Sequence, residues 1–356
     1  MNSNNYCIIM AGGLGSRIWP VSQRDYPKQF LDILGTGETL LQSTVRRYAM
    51  VCPIKNIFVV TGESMAARVH EQVPALDPKQ ILIEPYRRNT APCVAYAAAA
   101  IRTINPNATV VVTPSDHAVF NDERFAASLR QAFEVCERQD WIVTMGVPPT
   151  MPNTKYGYIQ YSEELAMPGA PDVHSVVAFT EKPSVEMAAK FIATGEFLWN
   201  AGIFVWRMPV LERAFRQYLP DVAATFLDVE YTDDFNYWER VYSMCQSISV
   251  DYGIMEKADN AHVLKASFGW SDVETWDSLY DTAEHDANGN VVLGGDAMLY
   301  NSSNCVVSIP QDTDKTVVLE GLDGYIVAAS KDVFMVCRRQ SENMVFRFAA
   351  DMDIRR

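Results

Sequence analysis

The sequence predicts an α/β fold, a mostly parallel sheet flanked by helices, followed by a small all-β unit near the C-terminal end. Two observations carry this expectation. Through the first half, short apolar runs rich in branched residues alternate with helix-patterned segments, the order that builds parallel strands with crossover helices. From about Gly289 the helical patterns give way to brief strands separated by Gly, Asp and Asn. The expected division is a domain over residues 1–285 and a β-rich one over 286–356.

Taken in order, "YCIIMAGG", "IFVVTG", "ILIEP", "TVVVTPSDH" and "WIVTMGV" read as buried strands closing on turn or polar residues. Between them, "ETLLQSTVRRYAMV", "TAPCVAYAAAAIRTI" and "DERFAASLRQAFEVCERQ" read as helices. Sheets of this kind bind ligands beyond the carboxyl ends of their strands, which is where Gly12, Glu84 and Asp116 fall. From about Tyr156 to Gly269 strands ("YGYIQY", "SVVAFTEKP", "AGIFVWR", "AHVLKA") mix with helices ("SVEMAAKFIATG", "PVLERAFRQYL", "DDFNYWERVYSM") as an elaboration of the same domain. The tail strands "NVVLGG", "NCVVSI", "KTVVLEG", "GYIVAAS" and "VFMVCRR" suit either a short β-helix or a meander.

The chain has 356 residues and a formal net charge of -14. That charge argues against general binding to nucleic acid or to an anionic membrane. A nucleotide site stays open, because local cations can outweigh the global field. The seven cysteines form no CxxC pair and several lie in apolar runs, the pattern of reduced, buried thiols in a cytoplasmic protein. No N-terminal signal is expected, and no apolar run reaches the ~18 residues that a membrane span needs.

The stretch "CIIMAGGLGSRIWPVSQRDYPKQF" leaves an apolar run through Gly12, Gly13 and Gly15, then places Arg17 and Lys28. It lacks the GK[ST] ending of a P-loop and the third glycine of GxGxxG. A strand, a GGxGxR loop and a later Lys remain. Glycines let backbone N–H groups approach anionic oxygens, Arg17 can hold a phosphate in a bidentate fork, and Lys28 is a compact point charge. Read alone, the cluster also suits a tight strand-to-helix turn.

The longer string resembles the signature of sugar-nucleotide pyrophosphorylases. Its Trp19-Pro20 and Pro27-Lys28-Gln29-Phe30 are similar to the mannose-1-phosphate guanylyltransferase branch. "EPYRRNTAPC", "VVTPSDH", "YGYI", "FTEKP", "WNAGIF", "VDYGIMEK" and "WSDVETW" follow in that family's order, so the resemblance spans essentially the whole chain. It implies a Rossmann-like nucleotidyltransferase fold and attack of mannose 1-phosphate on the α-phosphorus of GTP with Mg²⁺. No stretch resembles the C-terminal cupin domain of bifunctional relatives, so phosphomannose isomerisation is not expected.

The resemblance also implies roles. Gly12, Gly13 and Gly15 would hold the triphosphate, and Arg17 and Lys28 would neutralise it. Asp116 and Asp272 would be the metal ligands. Asp116 also reads as an Asx turn or helix cap, and Ser271 with Glu274, where the family usually has glycine, also reads as a capping box. Glu84 could accept guanine's N1–H and N2–H₂ together. Pro85, Arg88 and Asn89 would line the nucleotide, with Asn89 also suited to cap the alanine-rich helix. Arg87 stands where the family usually has glycine. Gly157, Glu181, Lys182 and Asn200 would receive the sugar phosphate. His117 reads as structural, since a phosphate dianion needs no general base. A guanylyltransferase for another sugar 1-phosphate, or a non-catalytic sugar-nucleotide sensor, are the alternatives. The tail has two open uses, homodimer formation or capping of the catalytic domain.

Overall fold

Apolar runs too hydrophobic for a half-solvated strand belong inside a sheet covered on both faces; Asn5–Met10, Ile57–Gly62 and Thr109–Pro114 are buried almost throughout, whereas Ile81–Glu84, at the sheet edge, is buried only at alternate residues. A computed structural model describes residues 2–13, 15–165, 169–170, 172–310 and 316–355. In it β1 (Asn5–Met10), β2 (Ile57–Gly62), β3 (Ile81–Glu84) and β4 (Thr109–Pro114) lie in the order β3-β2-β1-β4, all parallel. The short β5 (Ala118–Val119) follows, then β6 (Ile142–Val147), β7 (Gly157–Leu165), β8 (Val173–Glu181), β9 (Phe197–Arg207), β10 (Ala261–Lys265) and β11 (Trp270–Ser271).

The sheet has nine strands and continues β4-β9-β6-β10-β8-β7. Here the parallel expectation meets its limit. β9 runs antiparallel to β4, β6 and β7, β8 is antiparallel to β7 and β10, and only β6 with β10 stays parallel. The sheet is therefore mixed. β9 enters between β4 and β6 from far along the chain, and chain order alone cannot show such an insertion.

Two compact units interleave along the sequence: Met1–Gly12, Val45–Pro114 and Val119–Trp270 form one, and Gly13–Thr44, Ser115–Ala118 and Ser271–Arg356 the other. The helices read from the sequence are α1 (Leu40–Tyr48), α3 (Thr90–Ile104), α4 (Asp122–Arg138), α5 (Val185–Thr194), α6 (Met208–Tyr218) and α8 (Phe235–Met244). The structure adds α2 (Glu63–Gln72) and α7 (Pro220–Phe226). The first unit's core centres on α3, buried from Ala91 through Ile101. Its run of alanines lets the backbone approach the sheet closely, while Phe215, Phe226, Trp238 and Tyr242 fill the space around it. No helix among the described residues is long and apolar enough to cross a membrane.

In the second unit α9 (Trp276–Thr282) precedes β12 (Val291–Gly294), β13 (Ala297–Tyr300), β14 (Val306–Ile309), β15 (Val317–Glu320), β16 (Tyr325–Ala329), β17 (Phe334–Arg338) and α10 (Val345–Arg355). β12, β14 and β16 stack in parallel, Val291 beside Val306 beside Ile326, and β13 stacks in parallel on β15. A meander would pair its neighbours antiparallel, so the β-helix alternative is the one realised. β17 closes the stack antiparallel to β16. Side chains alternate across the rungs: Val306 joins Ile18, Trp276, Leu279 and Val345 in one core, and Val307 joins Cys305, Ile309 and Val327 in another. The tail expected to be all-β ends in a helix instead, which the sequence hides because α10 sets so few apolar residues inward.

Candidate active site

The second unit holds Gly13, Gly15 and the predicted metal carboxylates. The Gly13 carbonyl accepts from Gln29 Nε2 at 3.1 Å, and a Cβ added at Gly13 would lie 3.5 Å from Asp116 Oδ2. Gly15 is left-handed, with φ of 59°. A Cβ at that position would collide with Ser22 Oγ and press on Lys28 Cγ at 3.1 Å. Glycine is therefore required there for torsion and for space. The turn Ser16–Ile18 that follows presents Arg17, whose guanidinium pairs with Glu274.

Lys28 is 3% exposed, and its ammonium is fully committed. It lies 3.2 Å from Asp116 Oδ2 and donates to the carbonyl of Asp272 at 2.6 Å and, more weakly, to that of Val273 at 3.5 Å. Burial works to raise the Asp116 carboxyl, but Lys28 and His117 outweigh it and hold Asp116 below the usual carboxylate range. Val273 has φ of 45°, costly for a β-branched residue, and the bonds to Lys28 help to hold it there. Asp272 Oδ1 accepts from Glu274 N at 3.1 Å.

Two structural alternatives are corrected. α4 is capped by Asn121, which accepts from Arg124 N at 2.9 Å, so Asp116 is not its cap. The capping box opening α9 is Thr275 with Ser278, because the chain turns at Val273 and the helix begins later than Ser271 with Glu274 would place it. Among the described residues no three His, Cys, Asp or Glu side chains converge to hold a metal. Magnesium needs no such cage, since one or two carboxylates with substrate phosphates and waters suffice. An ionised Asp116 and an Asp272 tethered to the same ammonium fit that donor set.

In the first unit, Gly12 follows β1 and Glu84 ends β3, and a Cβ on Gly12 would lie 3.9 Å from Glu84 Oε2. Glu84 is 9% exposed, and its Oε1 is buried without a hydrogen-bond partner. Burial pushes its carboxyl up to about 7, with a hydrogen bond from the Tyr242 hydroxyl and the Arg87 charge opposing. Pro85 continues this loop. Asn89 caps α3 as expected, its Oδ1 accepting from Thr90 N at 2.8 Å. The Arg88 guanidinium donates to the carbonyls of Tyr242 and Ser243, each at 2.9 Å, at the C-terminal end of α8. The loop is stitched to a distant segment: Ile248 N donates to Arg88 O, Ala91 N to Ile248 O, and Val250 N to Thr90 Oγ1.

The four residues predicted for the sugar phosphate come together in this same unit. Gly157 on β7 pairs in register with Glu181 on β8. A Cβ on Gly157 would collide with Glu181 Oε2 and lie 3.4 Å from Asn200 Cβ on β9. Lys182 Nζ is 3.3 Å from Glu181 Oε1. A fifth residue joins them: Asp251 Oδ1 accepts from Asn200 Nδ2 at 2.9 Å. Burial first, and then the Glu181 charge, push the Asp251 carboxyl up to about 6. Glu181 is itself raised by burial, with Lys182 opposing. Sequence reasoning matched "VDYGIMEK" without assigning its acid. The available signal was a lone carboxylate between Val250 and an aromatic residue.

Residues 6–289 match the Nucleotidyl transferase family. The chain belongs to that family. This nucleotidyl transferase is 36% identical to the mannose-1-phosphate guanylyltransferase of Sinorhizobium fredii, over 96% of this chain and 67% of that one. It is 33% identical to the alginate biosynthesis protein AlgA of Pseudomonas aeruginosa, over 97% of this chain and 72% of that one. A solved structure from Thermus thermophilus, named mannose-1-phosphate geranyltransferase, superposes with a TM-score of 0.88 at 31% identity, covering 98% of this chain and 99% of that one. The nucleotidyl transferase fold thus accounts for the mixed sheet and the strand-rich tail, and enzymes of the family generally use a divalent metal.

Proposed function

We propose that this chain transfers GMP from GTP to α-D-mannose 1-phosphate, giving GDP-mannose and pyrophosphate. The names of the relatives support the reaction, and one observation carries the base: the buried Glu84 carboxylate beside Gly12, with an unpartnered oxygen. A buried acceptor left unpaired is costly, and guanine offers the two adjacent donors that would satisfy it. Pro85, Arg88 and Asn89 frame the base, Arg88 by securing the loop through its bonds to α8.

A phosphate oxygen of the sugar 1-phosphate attacks the α-phosphorus. The bond from that phosphorus to the bridging oxygen breaks, and its electron pair leaves with pyrophosphate. The attacking group is already an anion, so positioning and charge neutralisation do the work. Amides of Gly12, Gly13 and Gly15 receive triphosphate oxygens, and Arg17 exchanges its Glu274 partner for phosphate. Asp116 and Asp272 would hold a magnesium ion, which when bound would offset charge on the phosphates. Lys28 keeps Asp116 ionised and anchors the Asp272 backbone. Gly157, Glu181, Lys182 and Asn200 receive the sugar phosphate, Lys182 by charge and the others by space and hydrogen bonds. Residues 1–285 serve as the catalytic domain in this reading, and reduced buried thiols support a cytoplasmic location.

The test is pyrophosphate release across four nucleoside triphosphates and several hexose 1-phosphates. GTP with mannose 1-phosphate and Mg²⁺ is expected to be the best pair. No release from that pair would sink the proposal.

A further inference from the structure

The Asn200 amide is held on two sides. Its Oδ1 accepts from Gly202 N at 3.0 Å and its Nδ2 donates to Asp251 at 2.9 Å, while Thr144 Oγ1, whose single proton has a nearer acceptor in the Ile203 carbonyl at 3.1 Å, lies 3.3 Å from Oδ1. These partners settle which way the amide points. A backbone N–H can only donate, so it must meet the oxygen, and an ionised carboxylate can only accept, so it must meet the nitrogen. With the oxygen held by Gly202 and the first N–H by Asp251, the amide offers a ligand its second N–H. Glu181, on the same side of Gly157, offers acceptors.

We propose that Asp251 is a positioning residue for the sugar. Its carboxylate locks the Asn200 amide so that a hydrogen-bond donor, beside the Glu181 acceptor, meets a sugar hydroxyl. This rests on the reading of Glu181 and Asn200 as the sugar site. The Gly202 N–H sets the polarity, and Asp251 anchors the Nδ2 side with a charge-assisted bond. Its stitched neighbours, Ile248 and Val250, fix its place from the Arg88–Ala91 loop, and its own short turn, Asp251–Met255, carries it to Asn200. An amide in place of the carboxylate could donate as well as accept, and it would leave the Nδ2 side of Asn200 with at most a neutral hydrogen bond, while the Gly202 N–H still holds the oxygen side.

The same geometry gives the carboxylate a use beside Glu181, whose charge opposes its ionisation. Asparagine would remove that repulsion and preserve the shape. A residue retained for packing alone would gain from the change, whereas a residue retained to orient an amide would lose.

Initial rates of the full-length protein with GTP and mannose 1-phosphate test this. Asp251→Asn is expected to raise KM for mannose 1-phosphate about tenfold, the loss of one charge-assisted hydrogen bond, with KM for GTP within about twofold of wild type. In an Asn200→Ala background the same substitution should have almost no further effect, because Asp251 acts through that amide. Asp251→Ala, which removes the acceptor altogether, should raise the same KM at least as much and serves if Asp251→Asn does not fold. Unchanged sugar KM in Asp251→Asn, a parallel rise in KM for GTP, or additive effects with Asn200→Ala would each overturn the inference while leaving the reaction standing. Wild-type protein inactive on this substrate pair would overturn both.

Discussion

At the scale of single residues, Glu84 shows how a site can be set against the stability of its own fold. An unfolded chain would ionise Glu84 near the ordinary glutamate value, whereas burial moves the folded value up to about 7. A raised value stabilises the fold at low pH, and that contribution is lost as pH rises through 7. Glu84→Gln should therefore make the ligand-free protein more stable at pH 8, by up to about 3 kcal/mol, and change little at pH 4. Denaturant unfolding at the two pH values measures the difference. The same substitution should cost the preference for GTP over ATP. In wild type, KM for GTP should rise as pH falls below 7, by up to about tenfold per unit, because a protonated Glu84 cannot accept both guanine donors.

At the scale of elements, the sugar-side residues depend on strand register. Gly157 does not need a left-handed torsion, so glycine is there for space, opposite Glu181 on the neighbouring strand. Gly157→Ala should leave the melting temperature close to wild type. It should reduce kcat/KM for mannose 1-phosphate by roughly ten- to a hundredfold by displacing the Glu181 carboxylate. Much at this scale was legible in the sequence. Gly12, Glu84 and Asp116 could be placed at strand ends because glycine or polar residues close strongly apolar runs. Other features were not. β13 is four residues long and alternates weakly, α10 has few inward apolar residues, and the place of β9 depends on a strand from elsewhere in the chain entering the sheet. Asp251 was illegible because it reaches Asn200 through tertiary contacts, among them the hydrogen bonds joining Ile248 and Val250 to the Arg88–Ala91 loop and the packing of Ile254 and Met255 in the core.

At the scale of the whole molecule, the seven cysteines are all free, and six of them are buried. Cys337 is the half-buried one, and burial raises its thiol above the usual range. Brief treatment of the native protein with a maleimide should give one slow adduct by mass spectrometry, on Cys337. Fast labelling at several sites would mean that the fold opens more readily than its packing suggests. The core around Val306 has a different consequence. Ile18, one residue past Arg17, packs there with Val291, Ile326 and Val345 from the last part of the chain. The two stretches therefore have to be inherited together. A recombination event that exchanged the β-rich tail between distant relatives would also exchange the floor beneath the phosphate loop, and such hybrids should survive only when residues 13–44 travel with the tail.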